Sequence, residues 1–164
     1  MKTRHVLSLL LALCLALASC GDRKSGGNNA DMSLIPVKTG GKWGYIDHEG
    51  QFAIAPQFDY AAVFREGRAL IGQEREGQML YGFIDKEGNA AIPAQYLNAT
   101  GFSDGMAWTV AEGGAPTAIA PDGSALFTLK QAREAYSYSE GLAWVIEAHD
   151  DTLLHCTFYD TQGR

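Results

Sequence analysis

Apolar and polar positions alternate in short bursts along most of this chain, and Gly, Asp and Pro cut the bursts at regular places. Trp43 to Asp47, Phe52 to Ala55 and Leu142 to Ile146 are rich in aromatic and branched residues. Short runs of this kind, bounded by turn formers, read as strands. Two octets then match position by position at a spacing of 38: Trp43-Gly44-Tyr45-Ile46-Asp47-His48-Glu49-Gly50 and Tyr81-Gly82-Phe83-Ile84-Asp85-Lys86-Glu87-Gly88. Weaker copies begin at Thr117 and Thr157. A second signature keeps step with the first in Phe64-Arg65-Glu66-Gly67-Arg68-Ala69, Phe102-Ser103-Asp104-Gly105-Met106-Ala107 and Tyr138-Ser139-Glu140-Gly141-Leu142-Ala143, its glycines 38 and then 36 residues apart. Two signatures in step make chance similarity a poor account, and the chain reads as a repeat array.

Asp-x-x-Gly suits a type I turn, because the Asp side chain accepts backbone N–H bonds and the Gly accepts positive φ. Each repeat therefore predicts strand a, a tight turn, strand b, a longer loop and strand c. Repeats are expected over about 41–71, 81–110 and 117–146, with a partial copy over 153–164. Leu129 to Ala135 has mild helical propensity and predicts one helical turn. Leu34 to Lys38 reads as a strand c standing before the first strand a. Leu153 to Asp160 reads as a strand a without its strand b. That asymmetry favours a chain continuing past Arg164 over one ending at an exposed edge. The expected fold is all-β: tandem antiparallel three-stranded units in an open curved array. The alternative is a propeller-like closure in which the strand from Leu34 completes the last unit. Such units bury a core only against neighbours.

The start of the chain has a different pattern. Lys2 and Arg4 precede an almost wholly apolar run from Val6 to Ala18. A spanning helix needs about 20 such residues, so this run reads as a secretory signal over 1–19. It ends in Leu17-Ala18-Ser19-Cys20, which resembles the lipobox of bacterial lipoproteins. The resemblance implies cleavage between Ser19 and Cys20, and acyl chains on Cys20. Several acyl chains give durable anchoring, at about 0.8 kcal/mol per buried CH₂. Gly21 follows Cys20, and Asp22 stands one place later than the usual inner-membrane retention signal. This favours the outer membrane in a two-membrane host. Residues 20–33 hold the lipidated cysteine and a Gly/Ser/Asn-rich stretch that reads as a flexible tether. With Cys14 removed and Cys20 lipidated, Cys156 has no partner for an intramolecular disulfide.

The body also resembles the WG (KWG) repeat family of bacterial envelope and surface proteins. Lys42-Trp43-Gly44-Tyr45-Ile46-Asp47 matches its namesake motif, and Pro56, Pro93 and the Phe/Tyr-x-Glu/Asp-Gly-x-Ala segment also fit. The third copy departs from it: Pro116 and Thr117 stand for Trp-Gly, and Ala120 replaces the turn Asp. Regular pairing of that unit is therefore in question. The resemblance implies binding and scaffolding, and carries over no catalytic residue.

Composition narrows the function classes. Without Lys2 and Arg4 the chain keeps 11 basic against 19 acidic residues, a formal charge of -8. An acidic body disfavours nucleic-acid binding, which relies on Lys and Arg. Asp47, Asp85 and Asp160 recur at one turn position and read as turn formers rather than catalytic carboxylates. Glu147, His149, Asp150 and Asp151 form an acidic hairpin tip without calcium-loop spacing. His155-Cys156 lacks the further ligands that zinc needs, and Cys156 aligns with Trp43 and Tyr81, so a small buried thiol is expected. Trp43, Trp108 and Trp144 could stack on sugars. Trp108 and Trp144 share a strand position with Leu70, so core packing is expected, with Trp43 the most exposed. No metal, cofactor or catalytic site is expected, and no enzyme. The sequence favours a lipid-anchored envelope protein that binds a protein partner, with carbohydrate or peptidoglycan binding as the alternative.

Overall fold

In the computed structural model, residues 30–148 and 154–164 are described. The leader, Ser19, Cys20, most of the tether and the loop residues His149, Asp150 and Asp151 lie outside them. Every regular element among the described residues is a strand, and every pairing is antiparallel. β1 (Ala30–Asp31) lies within the segment expected as tether. It pairs with β6 (Phe64–Arg65), and Asp31 bonds Lys86.

The first sheet is β2 (Ile35–Thr39), β3 (Lys42–Ile46) and β4 (Phe52–Phe58). These are strands c, a and b in order. The second sheet repeats them as β7 (Ala69–Arg75), β8 (Gln78–Ile84) and β9 (Ala90–Tyr96), and gains the short strand β5 (Tyr60–Ala61) beside β7. The third sheet is β10 (Asn98–Ala99), β11 (Ala107–Val110), β12 (Thr117–Ile119) and β13 (Ala125–Thr128). The fourth is β14 (Ala132–Ala135), β15 (Leu142–Ala148) and β16 (Leu154–Asp160). The predicted units are present, and β5, β10 and β14 are an addition: the chain leaving one strand b pairs briefly with the next strand c. The third unit forms despite its departures. Ala120 offers no carboxylate, but Asp122 accepts the Ser124 N–H at 2.9 Å and holds that turn.

Two expectations are corrected. Leu129 to Ala135 forms no helical turn: it is a turn followed by β14, paired with β15. A mild intrinsic preference yields to a backbone ladder and the burial of Ala132. The strand from Leu34 does not complete the last unit: β2 pairs with β3, and β16 pairs with β15 at the edge of its sheet.

The sheets pack face to face in chain order through three apolar clusters. Tyr45, Ile54 and Phe58 of the first sheet meet Phe64 of β6 and Ala69 and Ile71 of the second sheet. Leu70, Phe83 and Ile92 on the opposite face of the second sheet meet Phe102, Ala107 and Ile119. Met106, Trp108 and Ala118 then meet Tyr138, Ala143 and Val145. Successive strand residues point to opposite faces, so Leu70 and Ile71 serve different clusters. An inner sheet covered on both faces explains why strand c reads as a continuous apolar run.

The namesake glycine follows from this packing. Strands b bulge where they cross strand a. A Cβ on Gly44 would lie 2.5 Å from the Ile54 carbonyl oxygen, and one on Gly82 2.6 Å from that of Ile92. Only glycine lets the two backbones approach so closely.

A candidate interaction surface at the open end of the stack

The second signature is a tight hairpin that plugs the sheet before it. Arg65 and Arg68 exchange both backbone hydrogen bonds, at 2.8 and 2.9 Å, around Glu66 and Gly67. Both central residues have positive φ, 51° and 77°, as a type I′ turn requires. Asp104-Gly105 and Glu140-Gly141 repeat the geometry. The aromatic that opens each hairpin is buried against the preceding sheet. Phe64 sits 5.0 Å from Tyr45, Phe102 4.8 Å from Phe83, and Tyr138 5.8 Å from Trp108, ring centroid to ring centroid.

A carboxylate ladder links successive hairpins. Glu66 accepts the Gly105 N–H at 3.0 Å, and Asp104 accepts the Gly141 N–H at 3.0 Å. Glu140 occupies the next rung and is exposed. The acidic residue of the signature therefore sets its own turn and also receives the following one.

The fourth sheet breaks the pattern of burial. Phe158 holds the strand-a place of Tyr45 and Phe83, yet it is 64% exposed where they are fully buried. Trp144 holds the strand-c place of Leu70 and Trp108 and is 40% exposed where they are 6% and 2%. Leu142 corresponds to the buried Met106 and is 51% exposed. Leu154 joins them on β16. Tyr136 stacks on one side of Trp144 at 3.7 Å with the rings 4° from parallel. The apolar face that packs onto the next sheet in every other unit is open here.

These facts correct two further expectations. Core packing holds for Trp108 and, in part, for Trp43, which packs against the first cluster with the Lys38 ammonium 5.9 Å from its ring centre. It fails for Trp144, because no sheet covers its face. Cys156 is exposed rather than buried, for the same reason. The turn aspartates are as expected. Asp47 accepts the N–H groups of Glu49 and Gln51, Asp85 that of Asn89, and Asp160 those of Gln162 and Arg164. The amides of Arg164 and Gln162 hold the Asp160 carboxyl below the usual range. Glu147 is bonded by the hydroxyls of Thr157 and Tyr159. Among the described residues no group of three or more His, Cys, Asp or Glu side chains gathers as a metal site would require. Sequence reasoning missed the open face.

A family model for the WG containing repeat matches residues 43–74 and again 81–113. Each match opens on a strand a and includes the following plug. The third copy, with Pro116-Thr117 for Trp-Gly, lies beyond them. No curated protein matches the chain. The crystal structure of a puromycin hydrolase mutant complexed with PGG aligns with a TM-score of 0.47 and 16% identity. The alignment covers 75% of this chain and only 23% of that one. The two family matches, each beginning at a strand a whose glycine the packing requires, identify the chain as a WG repeat-containing protein.

Proposed function

We propose that this chain is a cell-envelope lipoprotein whose WG-repeat stack is a non-catalytic binding module for a protein partner. Cleavage between Ser19 and Cys20 leaves acylated Cys20 as the membrane anchor, and the outer membrane is favoured in a two-membrane host. The Leu17-Ala18-Ser19-Cys20 sequence supports the anchor. The observation that carries the binding reading is the open face of the fourth sheet. It exposes Phe158, Trp144 and Leu142 at places that earlier units bury. Apolar patches of this kind mark interaction sites more often than they mark nothing. The formal charge of -6 over the whole sequence argues against nucleic acid as the partner.

One experiment addresses both parts. Cells expressing wild type or Cys20→Ala are fed an alkyne fatty acid, cross-linked in place, and their envelopes solubilised. The expected result is label on wild type alone and a protein partner captured with it. Equal labelling of the two forms would end the anchor reading. A second reading, glycan binding, rests on the exposed Trp144 ring stacked on Tyr136, since aromatic faces of this kind can receive sugars. Capture of cell-wall material in place of protein would favour it.

A further inference from the structure

We propose that the cleft between the second and third sheets binds a neutral, hydroxyl-rich ring, the chemistry of a single sugar residue. The site lies away from the fourth sheet and does not depend on the protein-partner reading.

The cleft exists because one sheet interface repeats another with smaller and more polar residues. Between the first and second sheets, Phe58 comes from strand b of the first, and Ile71 and Leu80 come from the second; all three pack in the first cluster. The next interface has Tyr96 at the place of Phe58, since each pairs with the aromatic of its own strand a, Tyr81 or Trp43. Thr109 stands at the place of Ile71, since it pairs with Thr117 as Ile71 pairs with Gly82. Ala115 comes two residues before Thr117, where Leu80 comes two before Gly82. Leucine has become alanine and isoleucine threonine. A cleft of about 350 Å³ is left, and its lining includes Tyr96, Thr109, Ala115, Thr117, Ile119 and Thr128. Small-ligand pockets begin at about 300 Å³.

The third sheet turns a row of hydroxyls toward this space. Thr109, Thr117 and Thr128 are direct neighbours across β11, β12 and β13. Thr109 and Thr117 lie two residues from Ala107 and Ile119, which pack on the second sheet, so the row shares that face. Its protons are all committed. Thr109 Oγ1 donates to the Thr117 carbonyl at 3.2 Å, and Thr117 Oγ1 donates to the Ala115 carbonyl at 3.2 Å. A hydroxyl has one proton, so in the 2.9 Å contact between Thr117 and Thr128 the donor is Thr128. The row has only lone pairs left to offer, and a ligand must bring the donors. Lone pairs repel an anion. A buried ammonium would need a carboxylate beside it, and no residue of the lining carries a charge. A sugar ring meets both demands: its hydroxyls donate to the threonines, and its C–H face lies on Tyr96 and Ile119.

The test uses the full chain in a detergent without a sugar headgroup, isotope-labelled at the threonine methyl groups. D-glucose, D-galactose and N-acetyl-D-glucosamine are titrated in and followed by NMR. The expected result is saturable shifts of the Thr109, Thr117 and Thr128 methyls with at least one sugar. The Kd should be millimolar, the range for a ligand of about a dozen heavy atoms. Thr128→Val keeps the shape, removes one acceptor and should weaken binding about fivefold. Ala115→Leu copies the filled interface and should abolish binding. Its circular dichroism spectrum is checked first; should it be altered, Thr128→Val decides, because Thr128 is exposed and its variant should fold. Absence of saturable shifts with all three sugars overturns the proposal. Sugar binding that a folded Ala115→Leu, or Thr128→Val in its stead, leaves unchanged overturns it too. Saturation by ethylammonium and not by the sugars would make this a cation site and also overturns it.

Discussion

The second and fourth sheets are built from the same signatures and differ in what lies beyond them. The second has Phe83 under Phe102 and Leu70 in the same cluster. The fourth has Phe158 and Trp144 at those places with no sheet on top. A repeat position does not fix burial: the neighbour does. An aromatic in strand a is a core residue only when a plug covers it. This follows from nearest-neighbour stability in repeat arrays.

The sharpest way to break the comparison is one truncation made at both places. Phe83→Ala should cost about 3–5 kcal/mol, because it opens a cavity between two sheets. Phe158→Ala should stay within about 0.5 kcal/mol, as surface changes usually do. Urea unfolding of the two variants measures both. Equal costs would mean that the fourth sheet is covered after all.

The next contrast is at the strand-a glycine. Gly82→Ala places a Cβ 2.6 Å from backbone atoms of Ile92 and Ala94, which cannot rotate away. It should destabilise by about 1–3 kcal/mol through overpacking. Thr157→Gly at the equivalent place creates no clash; it loses backbone order and the hydroxyl bond to Glu147, and should cost about 1 kcal/mol. The same urea titration separates them.

The carboxylate ladder gives a finer comparison. Asp104 and Glu140 both have positive φ, 54° and 55°. Replacement by alanine therefore carries a similar backbone penalty at each. Only Asp104 accepts a glycine N–H from the next hairpin. Asp104→Ala should therefore be the more destabilising by about 1 kcal/mol, the scale of one hydrogen bond. Equal effects would show that the bond contributes nothing.

Much of this was legible in the sequence, for reasons that differ by residue. The repeats, turns and strands a, b and c follow from local chemistry: Asp47 and Gly50 dictate a turn in any context. The all-β class follows from their recurrence. β5, β10 and β14 were not legible, because a two- to four-residue strand depends on where a neighbour's edge falls. Leu129 to Ala135 misled for the same reason, since propensity is a weak prior against an available edge. Cys156 and Trp144 misled in the opposite direction. Their burial was inferred from equivalents that have a following sheet. The ladder from Glu66 to Gly105 joins residues 39 apart, and only the stacking angle of the sheets reveals it.

The last comparison concerns pH and the plug that closes the third sheet. Burial, and then the charge of Asp160, push the Tyr138 hydroxyl up to about 12 from an ordinary value near 10.0. Its O–H donates to the Asp160 carbonyl at 3.1 Å, a bond that only the neutral form can make. A folded-state pKa above the unfolded one means that the fold holds the proton more tightly. Tyr138 therefore contributes its full stability below about pH 10. That contribution is lost as pH rises from there through about 12. Tyr45, Tyr136 and Tyr159 are raised as well, so wild type alone cannot isolate the effect. The difference between wild type and Tyr138→Phe does isolate it. At neutral pH Tyr138→Phe should be the less stable, by about 1 kcal/mol for the lost hydrogen bond. Between pH 10 and 12 the gap should close and then reverse, since phenylalanine has no proton to lose. Denaturant midpoints of the two proteins across that window measure it. A gap that stays constant would mean that the Tyr138 hydroxyl reaches solvent, and that the third and fourth sheets are less tightly joined than the second and third.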